Sequence, residues 1–334
     1  MPLSHILAQD RALQGLMGVV RSGRIPGAWL FTGPEGVGKA LAARALAGVL
    51  VGPADPGRVT RECSGYRRVQ EGVHPDLLWI EPEGPARRVK IGQVREAVRT
   101  FRFAPFEARR RVVVFPEADR LGDEAANALL KGLEEPPPHT VLILVTSRPH
   151  ALLDTIRSRC QQVRFAPLPR DLCARLLIGQ GVAEGDAPVA AALAEGSVGR
   201  GVALAESGLL EDRRATLLAL DELSLDRPEG LFDLAADWSS GADAASARAA
   251  VAARLDLLAS WYRDVVLAAA GGDAFVHADL TDRILESGRM GRSRSLRCLD
   301  ALRVAREALE LNATARLVCE ALLVRVARAQ SAER

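Results

Sequence analysis

Aromatic residues are scarce in this 334-residue sequence, at 4%, so its core must be built largely from Ala and Leu, which leans the chain towards helix. Cysteine is scarce too: there are five, an odd number with no C-x-x-C spacing. That fits reduced thiols better than a disulfide framework. An excess of one charge is missing, since the formal net charge is only +2. Any nucleic-acid contact must therefore come from a local basic surface, not from the field of the whole chain. Long apolar runs are absent as well. The best candidate, Leu255–Ala270, is interrupted by Arg263 and Asp264, which argues against a membrane span. The opening "MPLSHILAQDRALQGL" lacks a basic head ahead of an unbroken apolar core. No secretory signal is expected, and the chain is expected to be cytoplasmic.

What is present is a globular composition, 48% hydrophobic and 26% charged, in a chain long enough for two or three domains. The first half alternates strand and helix signals, as a layered α/β domain does. "AWLFTG" (Ala28–Gly33) reads as a buried strand entering a Gly-rich turn, with an Ala- and Leu-rich helix opening at Lys39. "VVVF" (Val112–Phe115) and "VLILV" (Val141–Val145) read as central parallel strands. Between them "DEAANALLKGLEE" places Ala126, Leu129, Leu130 and Leu133 at helical spacing, and Pro136, Pro137 and Pro138 stop that helix. After "FAPLPRD" (Phe165–Asp171) strand signals fade and the pattern stays helical. The expected domains are residues 1–168, 169–210 and 211–334: an α/β unit, a small helical unit ending after "EGSVGRG", and a larger helical unit.

Gly33-x-x-x-x-Gly38-Lys39, with Gly36 between, matches the phosphate-loop pattern in its required place between strand and helix. Glycines let backbone N–H groups close around phosphates at a positive helix end, and the lysine reaches the outer phosphates. Two metal contacts are missing. Ala40 stands where a Ser or Thr would hold Mg²⁺, and in "VVVFPEADRL" Pro116 stands where a strand-terminal Asp is expected, with Glu117 kept beside it. A metal held only by phosphate and solvent is not positioned for the transition state. The residues therefore imply no ATP hydrolysis, while ATP or ADP binding stays open. Glu117 reads as a surface or hydrogen-bonded carboxylate in preference to a base.

Several stretches jointly resemble the delta prime family of bacterial DNA polymerase III clamp-loader subunits, in the AAA+ superfamily. They are "HILAQDRALQGL", "LFTGPEGVGKA", "EGVHPDL", "EADRLGDEAANALLKGLEEPP", "LILVTSRPHALLDTIRSRCQ", "EGSVGRG" and "NATARLVCEALLVRV". The resemblance implies an α/β P-loop AAA+ domain with a parallel sheet flanked by helices, then a helical lid and an all-α collar through which subunits associate. It implies a non-hydrolysing subunit of the DNA polymerase III holoenzyme that helps load the sliding β-clamp onto primed DNA. Gamma or tau motor subunits and the delta subunit would be its partners. The family's Ser-Arg-Cys motif is matched by Ser158, Arg159 and Cys160, so Arg159 would be an arginine finger acting on a neighbour's nucleotide. A guanidinium suits that work because it is permanently charged and meets two phosphate oxygens at once. Cys160 is expected to pack in the interior. The alternative is a motor-type, ATP-hydrolysing subunit using Lys39 and Glu117, since gamma and tau carry similar motifs.

The chain departs from the family at a zinc module that usually precedes "HPD". Cys63 remains, but Thr60 and Tyr66 occupy neighbouring cysteine positions. With His74 distant, four ligands are not available and no zinc is expected. Tyr66 is expected to pack the loop instead. Arg200 in "SVGR" matches the lid position that touches a nucleotide phosphate, with an interdomain or surface role as the competing reading. Arg87-Arg88-x-Lys90 and Arg109-Arg110-Arg111 read as solvated strand ends more readily than as DNA contacts. Apolar stripes over Leu296–Leu309 and Leu317–Val326 fit either a bundle core or a seam between subunits.

Overall fold

The computed structural model describes residues 6–52, 59–84, 87–134, 136–220, 223, 225–226, 228–289, 291–311 and 313–331. His5, Glu135 and Asn312, which belong to stretches quoted above, lie outside the described residues. The chain divides into two compact units, Met1–Pro169 and Arg170–Arg334. The sequence-expected division between 169–210 and 211–334 falls inside the second unit.

In the first unit the elements run α1 (Asp10–Ser22), β1 (Ala28–Thr32), α2 (Lys39–Val51), α3 (Ser64–Gln70), β2 (Leu77–Trp79), α4 (Ile91–Thr100), β3 (Arg111–Phe115), α5 (Asp123–Glu134), β4 (Thr140–Thr146), α6 (Asp154–Arg159) and β5 (Gln161–Arg164). The strands form one parallel sheet in the order β2-β3-β4-β1-β5. The three apolar runs became β1, β3 and β4, each buried along its whole length. Their side chains alternate between two cores. Trp29, Phe31, Val112, Val114 and Ile143 meet Leu46 and Leu50 of α2 on one face. Leu30, Val113, Phe115, Leu142 and Leu144 meet Val94, Leu129 and Ile156 on the other. Burial on both faces is why these strands read as unbroken hydrophobic runs, and each large side chain so buried contributes roughly 1.5–3 kcal/mol. The sequence reading did not find β2 and β5. β2 has three residues, and β5 exposes all of Gln161–Arg164 except Val163.

The order places β4 between β1 and β3, so the chain leaves β1 for the far edge and returns. That is a topological switch point, where ligands gather outside the carboxyl ends of parallel strands. The phosphate loop follows β1 at this point.

The second unit is all-α: α7 (Arg170–Gly179), α8 (Ala187–Leu193), α9 (Val198–Glu206), α10 (Arg213–Ala219), α11 (Pro228–Trp238), α12 (Ala244–Ala269), α13 (Thr281–Arg289), α14 (Arg292–Glu310) and α15 (Ala315–Ser331). Helices α7, α8 and α9 pack on one another, and α12 is the spine against which α13, α14 and α15 pack. Leu258, Trp261, Leu302 and Leu323 fill that bundle. The stripes expected over 296–309 and 317–326 are divided: Leu302, Leu309, Leu322 and Val326 are buried, while Leu296 and Leu317 are exposed.

A polar relay is buried in the same bundle. Arg213 donates to His277 Nδ1 at 3.0 Å and to both carboxylate oxygens of Asp279. Arginine only donates, so His277 is the tautomer with its proton on Nε2, 2.8 Å from the Ser260 oxygen, and Ser260 in turn donates to the Leu257 carbonyl at 2.7 Å. Burial, then the Arg213 charge, pushes His277 down to about 4. No helix among the described residues is long and apolar enough to cross a membrane.

Candidate nucleotide site and interface arginine

Gly33, Gly36 and Gly38 adopt φ values of +145°, +70° and +98°, conformations that glycine reaches without the Cβ penalty. A Cβ on Gly33 would also strike the Phe165 carbonyl. Among the described residues the N–H groups of Glu35, Gly36 and Gly38 donate to no carbonyl, and α2 opens at Lys39 directly behind them. The loop therefore presents unsatisfied donors at a positive helix end. Lys39 is buried, and its ammonium donates to the carbonyls of Gly33 at 2.7 Å and Pro34 at 2.5 Å. One of its three N–H bonds is left for a ligand. Burial lowers its pKa to about 8, with Glu35 and then Asp119 opposing.

The strand ends around this cradle are short of metal donors. Ala40 presents a methyl group in the first turn of α2, and Pro116 follows β3. Glu117 is ion-paired with Arg87 and lies 3.6 Å from Arg120. Asp119 accepts a hydrogen bond from the Thr146 hydroxyl at 2.8 Å. Among the described residues no three His, Cys, Asp or Glu side chains converge as a metal cluster. The donor set does not fit a Mg²⁺ held by protein oxygens in the usual way. The sequence reading missed Asp119 and Thr146, a hydrogen-bonded pair whose carboxylate opposes the lowering of the Lys39 pKa. A hydroxyl ending the apolar run of β4, in register with Thr32 at the end of β1, is the signal that could have found them.

The Ser158–Arg159–Cys160 motif closes α6 and turns into β5. Cys160 points into the core, where burial pushes its thiol up to about 12. Ser158 and Arg159 are exposed. Ser158 donates to the Thr155 carbonyl at 3.2 Å; Arg159 reaches the same carbonyl at 3.1 Å and Glu134 at 3.3 Å. An exposed pair of this kind is worth about 0–1 kcal/mol, so a stronger anion can take the guanidinium from Glu134. Arg157, beside it, is half-buried and paired with Asp154.

The family described as "DNA polymerase III, delta subunit" matches residues 8–169. DNA polymerase III subunit delta' of Bacillus subtilis is 31% identical over 293 residues, 86% of this chain and 86% of that one. The chain belongs to the DNA polymerase III delta prime family. The Pseudomonas aeruginosa delta' subunit is 40% identical over 144 residues, 42% of this chain and 43% of its own length. Subunit tau of Escherichia coli is 34% identical over 172 residues, 49% of this chain and 25% of its own.

In this delta prime family member Cys63 is engaged by its own neighbours. Cys63 precedes α3, and its sulfur lies 3.4 Å from the Thr60 N–H and 3.6 Å from the Thr60 hydroxyl. Tyr66 is buried with its ring against Gly48 of α2, so it packs the interior. His74 and Asp76 of the "HPD" stretch are buried scaffold groups. Asp76 accepts N–H bonds from Phe106 at 2.6 Å and from Glu107 and Ala108 at 2.9 Å. Burial raises its pKa, but those three bonds and Arg111 outweigh that and hold it below the ordinary value.

Arg111 corrects the reading of Arg109-Arg110-Arg111 as a solvated run. It is buried at the start of β3, where it donates to the carbonyls of Thr100, the last residue of α4, and of Phe103 and Ala104 beyond it, and it lies 3.7 Å from Asp76. Carbonyls at and just beyond a helix C-terminus, where the helix dipole is negative, explain why a cation is held there. Arg110 donates to the Pro138 carbonyl at 3.1 Å, and Lys90 pairs with Glu83 at 2.9 Å. In the helical unit Arg200 is paired with Asp256, which Arg306 also engages, and lies 3.9 Å from Glu195.

Proposed function

We propose that this chain is a non-hydrolysing clamp-loader subunit that assists ATP-dependent loading of the sliding β-clamp onto primed DNA. In this reading it supplies Arg159 to the nucleotide of a neighbouring gamma or tau motor subunit, with the delta subunit in the same cytoplasmic assembly. One contrast carries the reading. The phosphate cradle and Lys39 are present, yet position 40 is a methyl, position 116 is a proline and Glu117 is engaged by Arg87. Such a loop holds ATP or ADP through Gly33, Gly36, Gly38 and Lys39, and it leaves the chemistry to another site. Arg200 is a phosphate ligand in this site only if it leaves Asp256. The chain needs neither zinc nor a cofactor for its role.

Arg159 supports the other half of the reading, because it is exposed and weakly held on a motif that buries Cys160 beside it. A guanidinium delivered across an interface meets the charge that builds on the transferring phosphoryl group. The test is Arg159→Ala in the reconstituted assembly. DNA- and clamp-stimulated ATPase should fall while assembly persists; unchanged stimulation would overturn the finger. The competing motor-type reading, favoured by the similarity to tau, requires ATP turnover by this chain alone.

A further inference from the structure

The helical unit holds a cavity of about 320 Å³ that neither the phosphate loop nor Arg159 uses. It lies wholly within Arg170–Arg334, where α8 and α14 both pack on α12. Helix α12 supplies one wall through Asp256, Ala259, Ser260 and Arg263. These stand at i, i+3, i+4 and i+7, so they share one face of the helix. Glu195 and Arg200 border the cavity from the end of α8 and the start of α9. Leu193 and Leu299 add apolar surface from α8 and α14.

The charges at this place do not balance. Arg200 and Arg306, both half-buried, share the single carboxylate of Asp256. Glu195 is exposed and reaches Arg200 only at 3.9 Å, and it acts on Arg306, as Glu310 does, without an ion pair. Burial, then the charge of Arg200, lowers the Arg306 pKa below its ordinary value. Arg263 is exposed and makes no hydrogen bond or ion pair among the described residues. Three arginines thus stand at or beside the cavity with one closely held carboxylate among them. The wall behind them is fixed, because Ser260 is buried between the Leu257 carbonyl and His277 Nε2.

We propose that this cavity binds a small phosphate monoester, with its phosphate on Arg263 and Arg200 and its carbon skeleton against Leu193, Ala259 and Leu299. The volume stands at the low end of the roughly 300–1,000 Å³ of small-molecule pockets, too small for a peptide or a nucleic-acid strand. An arginine fork meets two anionic oxygens at once. A carboxylate has only two to offer, and Asp256 already supplies one carboxylate to Arg200 and Arg306. A phosphate monoester brings three acceptor oxygens and a charge of about −1.5 to −2, which matches an unpaired Arg263 beside an arginine that shares its partner. The bound ester would bridge the α8–α9 turn to α12 and α14. This site is independent of the clamp-loader reading.

The test titrates ribose 5-phosphate, phenyl phosphate and inorganic phosphate into the full chain by calorimetry, with Lys39→Ala beside the unsubstituted chain to separate this cavity from the phosphate loop. Both esters should bind one to one, equally in the two chains and more tightly than inorganic phosphate. Arg263→Ala should weaken them at least tenfold while the Tm of the ligand-free chain stays unchanged, since Arg263 anchors no other residue. In NMR spectra of the guanidinium Nε–H groups, ribose 5-phosphate should shift Arg200 and Arg263 and leave Arg303 in place. No saturable binding, binding that Arg263→Ala leaves unchanged, or binding lost with Lys39→Ala overturns the proposal. Inorganic phosphate held as tightly as both esters overturns it too, because the apolar wall would then contribute nothing.

Discussion

The phosphate loop and the Ser158–Arg159–Cys160 corner stand in the same α/β unit but differ in how their charge is committed. Lys39 is buried and already donates to two carbonyls of its own loop, while Arg159 is exposed and has one weak carboxylate partner. The first is a cradle whose lysine is already engaged by its own loop. The second is a permanent charge that can be lent out. The difference teaches that a site should be judged by which of its groups are free to meet a new charge, not by how much of a motif survives.

The largest effect is expected at Arg159. Arg159→Lys keeps a positive charge but loses the planar fork, so single-turnover hydrolysis at the adjoining motor site should stay about 10³-fold below wild type. Recovery to near wild-type rate would show that charge alone suffices. Asp76→Ala separates scaffold from site. It strands Arg111 and three N–H groups, so urea or thermal unfolding should show a loss of about 3–5 kcal/mol.

Acid separates the two units. The folded pKa of His277 is depressed to about 4 from an ordinary 6.5, so its contribution is intact above pH 6.5 and is lost as pH falls from there through 4. The full loss is roughly 3 kcal/mol, partly offset by Asp264, whose carboxyl burial pushes up. His277→Gln should flatten that window in a pH series of unfolding midpoints. Asp76, held low, is lost only below the ordinary carboxylate range. The smallest effect is a restoration. Ala40→Thr with Pro116→Asp should make ATP affinity Mg²⁺-dependent by about tenfold, roughly 1.4 kcal/mol, in calorimetric titrations with and without the metal.

Much of this was legible in the sequence, and the pattern of misses is physical. The central strands β1, β3 and β4 were readable because burial on both faces makes them continuous apolar runs. The edge strands were not, because three residues in β2 and an exposed "QQVR" in β5 carry no such signal. Gly33, Gly38 and Lys39 were found by spacing. Asp119 and Thr146 were missed because their relation exists only across the sheet, 27 residues apart in sequence. Arg111 looked like the end of a charged run. Its burial depends on where α4 stops, which its own neighbours do not encode.

The central claim is that the cradle beside Lys39 does no hydrolysis of its own. Its most direct test is steady-state ATP turnover by the purified chain with Mg²⁺, measured beside Lys39→Ala. The account predicts no turnover in either. Steady hydrolysis that Lys39→Ala abolishes would contradict it.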